Sequence, residues 1–196
     1  MTVSQAERAR LVRRGFLLEY TTLGWNVVGV FILAYAALAA RSVALAGFGL
    51  DSLIEIGASA VVVWELSDAH GDRRGRALRL IAVAFVLLAI YLSIQATWVL
   101  MVGHRAGHSV AGMVWTAATA AVMFSLAAGK AATGAALENP VLRTEGRVTL
   151  IDAVLATAVL TSLVLNLFLD WWWADPLAGY VLVLYAIREA HPILGE

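Results

Sequence analysis

Residues 42–66 read SVALAGFGLDSLIEIGASAVVVWEL. Apart from Asp51, Glu55 and Glu65 the run carries no charge, and it is long enough to cross hydrocarbon, which takes about 20 mostly apolar residues as a helix. Lipid offers no partner to backbone amides, and no strand-like period of two appears, so the run reads as a transmembrane α-helix. Asp51 and Glu55 are four positions apart and stack on one helix face. A charged carboxylate at bilayer centre costs at least ~2.5–3.5 kcal/mol on insertion scales and normally faces a bundle interior or a water-filled cavity. The helix therefore needs neighbours.

The rest of the chain supplies them. Six spans are expected, at about 16–40, 42–66, 80–103, 109–129, 140–169 and 171–190. The apolar run of the fifth begins at Val148, but Asn139-Pro140 reads as an N-cap followed by a first-turn proline, which starts the helix earlier; Asp175-Pro176 does the same for the sixth. Of the 196 residues, 61% are hydrophobic and 14% charged, against roughly 25% charged in a soluble domain; the mean hydropathy is +0.81. The expectation is an all-α integral membrane protein, a single transmembrane domain over 1–196 with no soluble domain, in the cell (inner) membrane. A net charge of zero excludes a nucleic-acid binder, and the lack of cysteine excludes disulfides and thiolate metal sites. A cleaved signal peptide does not fit, because the first run is about twice the usual length of such a core and carries Glu19.

Basic residues set the orientation. Arg8, Arg10, Arg13 and Arg14 precede the first span; Arg73, Arg74, Arg76 and Arg79 follow the second; Lys130, Arg143 and Arg147 follow the fourth; Arg188 ends the sixth; only Arg41 and Arg105 fall on the other side. Both termini are thus expected in the cytoplasm. Trp171, Trp172 and Trp173 fall where the opposite interface should be, as an aromatic anchor. A shift of 97 positions lays Ser52-Leu53-Ile54-Glu55 over Thr149-Leu150-Ile151-Asp152 and Gly49 over Gly146, with spans one to three over four to six. Duplication with three spans per half implies halves of inverted topology. Asp152 and Glu55 each lie 12 residues into their helices from opposite faces, about 18 Å at 1.5 Å per residue, so they should meet near the midplane.

No Lys, Arg or His is expected deep in any span, since His70, His104, His108 and His191 fall in connections or the tail. Asp51, Glu55 and Asp152 would then be neutralised by protons or by an external cation. Two cations competing for one site is the thermodynamic core of an antiporter. Glu145, two turns from Asp152, and Glu19, a turn into the first span, are candidates for attracting or relaying the cation. Asn26 reads as an interhelical hydrogen bond, Glu65 and Asp68 as interface residues. Gly47, Gly49, Gly57 and the alanines of the fourth span read as sites of close helix approach.

Asp51-Ser52-Leu53-Ile54-Glu55, preceded by Ser42-Val43-Ala44-Leu45, resembles the second-helix motif of the cation diffusion facilitator (cation efflux) family. Asp152 takes the second motif place on helix five, and Asp175-Pro176-Leu177-Ala178 is similar to the start of that family's sixth helix. The resemblance implies six spans, cytoplasmic termini and export of a divalent metal, with Asp51, Glu55 and Asp152 as metal ligands. Three departures stand out. Val148 occupies the place of the usual first ligand on helix five, which Glu145, Glu19 or water could fill; no His-rich loop joins helices four and five; and the sequence shows no C-terminal cytoplasmic domain. These departures imply a compact branch of the family, similar to the small vesicular zinc-transporting transmembrane proteins of animals. Carboxylates suit Mn²⁺ or Fe²⁺ as well as Zn²⁺ or Co²⁺. The expected partners are lipid, divalent metal ions and protons, with a second copy of the chain a candidate through the transmembrane helices; no catalytic residue or prosthetic group is expected. The alternatives are a non-transporting membrane scaffold with protonated acids and an intramembrane metalloenzyme.

Overall fold

The computed structural model describes residues 5–40, 43–67, 74–103, 109–173, 176, 177, 180, 183, 184, 186–188, 190 and 191. Five long helices follow in order: α1 (Gln5–Ala40), α2 (Val43–Leu66), α3 (Arg74–Val102), α4 (Val110–Ala136) and α5 (Pro140–Leu169). Each is long and apolar enough to cross a membrane. The residues described between 176 and 191 are helical as well; Asp175 and Asp68 lie outside the described residues, as do His70, His104 and His108.

Three helices outrun their apolar segments. The α1 helix begins at Gln5 rather than Phe16, α3 at Arg74 rather than Leu80, and α4 continues to Ala136 rather than ending at Gly129. The added residues are largely Ala, Arg, Gln, Glu and Lys, good helix formers that propagate a helix past the lipid boundary. The exposed Arg8, Arg10, Arg13 and Arg14 decorate the projecting start of α1. The fifth helix begins where its cap places it: Asn139 accepts a side-chain hydrogen bond from the backbone N–H of Leu142, with Pro140 in the first turn. Ser109 caps α4 by accepting from Gly112 N–H.

The α4–α5 turn is tight. Asn139 N–H reaches Gly134 O at 2.9 Å and Glu138 N–H reaches Ala135 O at 3.2 Å, with Glu138 left-handed at φ 52°. This is the Schellman pattern, with glutamate where glycine is usual. Asn139 thereby ends one helix and starts the next, folding α5 back antiparallel along α4.

The core is built from α1, α2, α4 and α5, with α3 packed mainly on α2. A Cβ on Gly15 would lie 3.3 Å from Leu66 Cδ1 and 3.4 Å from Leu142 Cδ2, so the start of α1, the end of α2 and the start of α5 share one end of the bundle. Trp25 stacks on Trp115 with centroids 4.8 Å apart and donates its indole N–H to Thr119 Oγ1 at 3.1 Å, fixing α1 against α4. Leu80, Leu87, Ile94 and Trp98 on α3 stay exposed, as lipid-facing residues should. Tyr180 and Thr97 share a 2.6 Å hydroxyl contact, which sets the described helical residues after 176 against α3. Trp171 and Trp173 stack at 5.3 Å beyond the far end of α5.

The small residues are not equivalent. Gly47 faces Tyr91 and Gln95 of α3, and Gly49 faces Leu33, but Gly57 has nothing within 4 Å of an added Cβ; the expected close approach at Gly57 does not occur. A close backbone approach beside the polar core is at Gly146, where a Cβ would meet Lys130 Cβ at 3.1 Å and Ala131 N at 3.2 Å. Gly146→Leu should therefore lower stability by about 1–3 kcal/mol or more through overpacking, read as a reduced midpoint of thermal unfolding in detergent. Gly57→Ala should leave that midpoint nearly unchanged.

Candidate functional site

Polar side chains from all four central helices converge in one buried column. The helices α2 and α5 run antiparallel, so each turn along one meets a turn back along the other. At one end, Asn139 donates its side-chain amide to Glu65 Oε1 at 3.3 Å and Oε2 at 3.0 Å. Next, Ser59 donates to Glu145 Oε1 at 3.1 Å. A turn further, the Thr149 hydroxyl reaches Glu55 Oε1 at 2.6 Å and Glu145 Oε1 at 3.2 Å. Last, Asp51 of α2 faces Asp152 of α5 closely enough for their carboxyls to interact directly. Asp152 lies 12 residues from Pro140, about 18 Å along the axis.

The column contains a cation that the apolar-run count misses. Lys130, assigned above to a connection, lies inside α4 and is fully buried. Its Nζ sits 3.1 Å from Glu19 Oε2 of α1, donates to Glu145 Oε1 and donates to Thr149 Oγ1 at 3.0 Å. The expectation that no basic residue lies at depth is thus corrected. Lys130 precedes the end of α4 by six residues and Glu145 follows the start of α5 by five, so the tight turn brings them level, about 7.5–9 Å inside the helix ends. Two signals could have found it: the run Ala131-Ala132-Thr133-Gly134-Ala135-Ala136 has no breaker strong enough to end α4, and Glu145 stands at a matching distance beyond the turn.

The five expected site residues are all buried: Glu19 0%, Asp51 3%, Glu55 2%, Glu145 0% and Asp152 3% exposed. They divide into two groups. Glu19 and Glu145 are held by Lys130; Glu55 is held by Thr149 beside them. Asp51 and Asp152 form a separate pair one turn deeper, outside contact with the ammonium, and both oxygens of Asp152 lack a hydrogen-bond donor. Among the described residues, no three His or acidic side chains already converge as a metal-holding group. One lysine offsets one of six buried carboxylates, and the effective cost of burying each further ion is several kcal/mol. The electrostatic demand for protons or an incoming cation survives the correction, at Asp51 and Asp152 and also among Glu19, Glu55 and Glu145, which share one ammonium.

One other residue differs from its sequence reading, and a second has a partner the sequence did not indicate. Asn26 donates to Thr22 O of its own helix at 3.1 Å rather than across helices. Glu65 is 4% exposed and bonded to the cap residue of α5, so at its end of α2 it also ties two helices together. A polar side chain is tolerated there because the Asn139 amide supplies its donor.

This column of carboxylates within a helical membrane bundle belongs to a class of cation-handling membrane proteins, and comparison gives the family. The pattern of the cation efflux transmembrane domain matches residues 77–196, and the chain belongs to the cation efflux family. The protein is accordingly an integral, multi-pass membrane transporter of metal cations. No curated protein matches the chain. The matched segment includes Lys130, Glu145, Thr149 and Asp152; Glu19, Asp51 and Glu55 lie before it.

Thr149 joins the two groups, since its hydroxyl touches Glu55, Glu145 and Lys130. Thr149→Val keeps the shape and strands these partners, so it should destabilise the protein by about 1–3 kcal/mol. Thr161→Val, at an exposed hydroxyl bonded to Thr157 O, should shift the thermal midpoint far less in the same detergent.

Proposed function

We propose that the protein exports a divalent transition metal, Zn²⁺, Mn²⁺, Fe²⁺ or Co²⁺, from the cytoplasm in exchange for protons. The observation that carries this reading is the Asp51–Asp152 pair: two carboxyls from α2 and α5, buried and facing one another, with no donor on either oxygen of Asp152. Apposed carboxylates repel unless they share a proton or a cation. A metal entering between them would displace the proton, which is the competition an antiporter needs. Glu55 is one turn from Asp51 and would complete the set by leaving Thr149. Val148 cannot ligate, so water would fill the remaining position.

The architecture supports alternation. The bundle end shared by the start of α1, the end of α2 and the start of α5 bears the arginine-rich segments, and its assignment to the cytoplasm is our reading of that charge bias. The 97-residue shift carries the start of α2, Val43, onto the start of α5, Pro140, in keeping with two inverted halves that rock about a midplane site. The protein is then a single transmembrane unit of six spans.

Proteoliposomes enclosing a pH dye test the proposal. Adding Mn²⁺, Zn²⁺ or Co²⁺ outside should drive metal-dependent proton flux. Asp51→Asn and Asp152→Asn should each lower that flux at least tenfold while retaining the wild-type elution profile in detergent. Unchanged flux in both variants would sink the proposal. Saturable binding of the same metals by calorimetry, lost in the two variants, separates a transporter from a scaffold that holds its acids permanently protonated.

A further inference from the structure

The carboxylates around Lys130 exceed what one ammonium can satisfy. Its Nζ is surrounded by Glu19 Oε2, Glu145 Oε1 and Thr149 Oγ1, with Ser59 donating to the same Glu145 oxygen and Glu55 joined through Thr149. Glu19 Oε1, Glu145 Oε2 and Glu55 Oε2 are buried without a hydrogen-bond donor. Three helices thus build an oxygen-lined cage around a positive charge, and the charge is tethered to the fourth. The donor set, carboxylates and a hydroxyl, is one that oxygen-preferring divalent ions accept.

We infer that the Glu19–Glu145–Thr149 cage is a second cation position, distinct from Asp51–Asp152, which the Lys130 ammonium fills so that a second metal ion is excluded. The inference rests on the transport reading above but concerns a different set of ligands. Lys130 is then a specificity-determining residue: it confines metal to the aspartate pair and fixes the number of ions the column holds. A lysine on a four-carbon stem supplies one positive charge that cannot leave, whereas an ion in the same cage would bring two and could exchange.

Manganese stoichiometry on the purified full chain, measured by equilibrium dialysis with elemental analysis, tests this. Wild type should hold about one Mn²⁺ per chain, lost in Asp152→Asn; Lys130→Met should hold about two, a doubling. Lys130→Met/Glu19→Gln/Glu145→Gln should return to about one. Where Lys130→Met does not accumulate, Lys130→Met/Glu19→Gln, which removes one charge of each sign, carries the same expectation of two. A stoichiometry that stays at one without Lys130, or that is already two with it, overturns the inference. Zero in wild type and one in Lys130→Met, insensitive to Asp152→Asn, would support the cage and overturn the role given to the aspartates.

Discussion

The structure depends on how negative charge is housed among helices that otherwise bury only apolar surface. Six carboxylates lie inside the bundle, and lipid provides no dielectric relief. Lys130 settles part of this by drawing α1 and α5 onto α4 through Glu19 and Glu145. Because this ion pair is buried, it says little about net stability; removing one partner of such a pair is costly because the other is left uncompensated. Its clearer effect is on registry. Only one alignment of α1, α4 and α5 lets one ammonium reach both glutamates and Thr149, and the stack of Trp25 on Trp115 fixes the same alignment from the apolar side.

Chemistry and architecture then separate along the column. Near the helix ends, each acid has an evident partner: Glu65 takes Asn139, Glu145 takes Ser59 and Lys130, Glu55 takes Thr149. One turn deeper the partners stop, and Asp51 meets Asp152 alone. Residues that stabilise the fold and those suited to hold an exchangeable ion therefore occupy one face of α2 in succession. For a metal transporter this is a workable division, since an ion that must leave again cannot be held by every carboxylate in the membrane.

Much of this was readable from the chain. Asn139-Pro140 marked the start of α5, because capping is local and a proline cannot sit further inside. The spacing of Asp51 and Glu55 followed from helix geometry, but the expected meeting of Asp152 with Glu55 is shifted by about a turn: Thr149 faces Glu55 and Asp152 faces Asp51. The reading failed where hydrophobicity stood in for helix length. Counting apolar residues ended α4 at Gly129, which placed Lys130 in water; the helix continued, and carboxylates from elements distant in sequence received it. Glu65 was read as closing the second helix, and its amide partner, on the fourth helical connection, is one that no local pattern indicates. Glu19 and Glu145 were flagged as polar residues at depth, but pairing through a shared ammonium is a tertiary fact that no local pattern carries.

The contacts between α2 and α5 are unevenly distributed, and that has a mechanical sense. From Glu65 to Glu55, α2 is laced to α5 by side-chain hydrogen bonds at Glu65, Ser59 and Glu55, whereas at Asp51 the facing group is a second carboxyl with no donor on either oxygen. Prising the laced end apart would strand several buried polar atoms, while at the aspartate end both oxygens of Asp152 already lack a hydrogen-bond partner. The two helices resemble a clothes-peg with its spring at Asn139 and its jaws at the carboxyls, so the soft direction of their relative motion is the one that changes the span across which an ion is gripped.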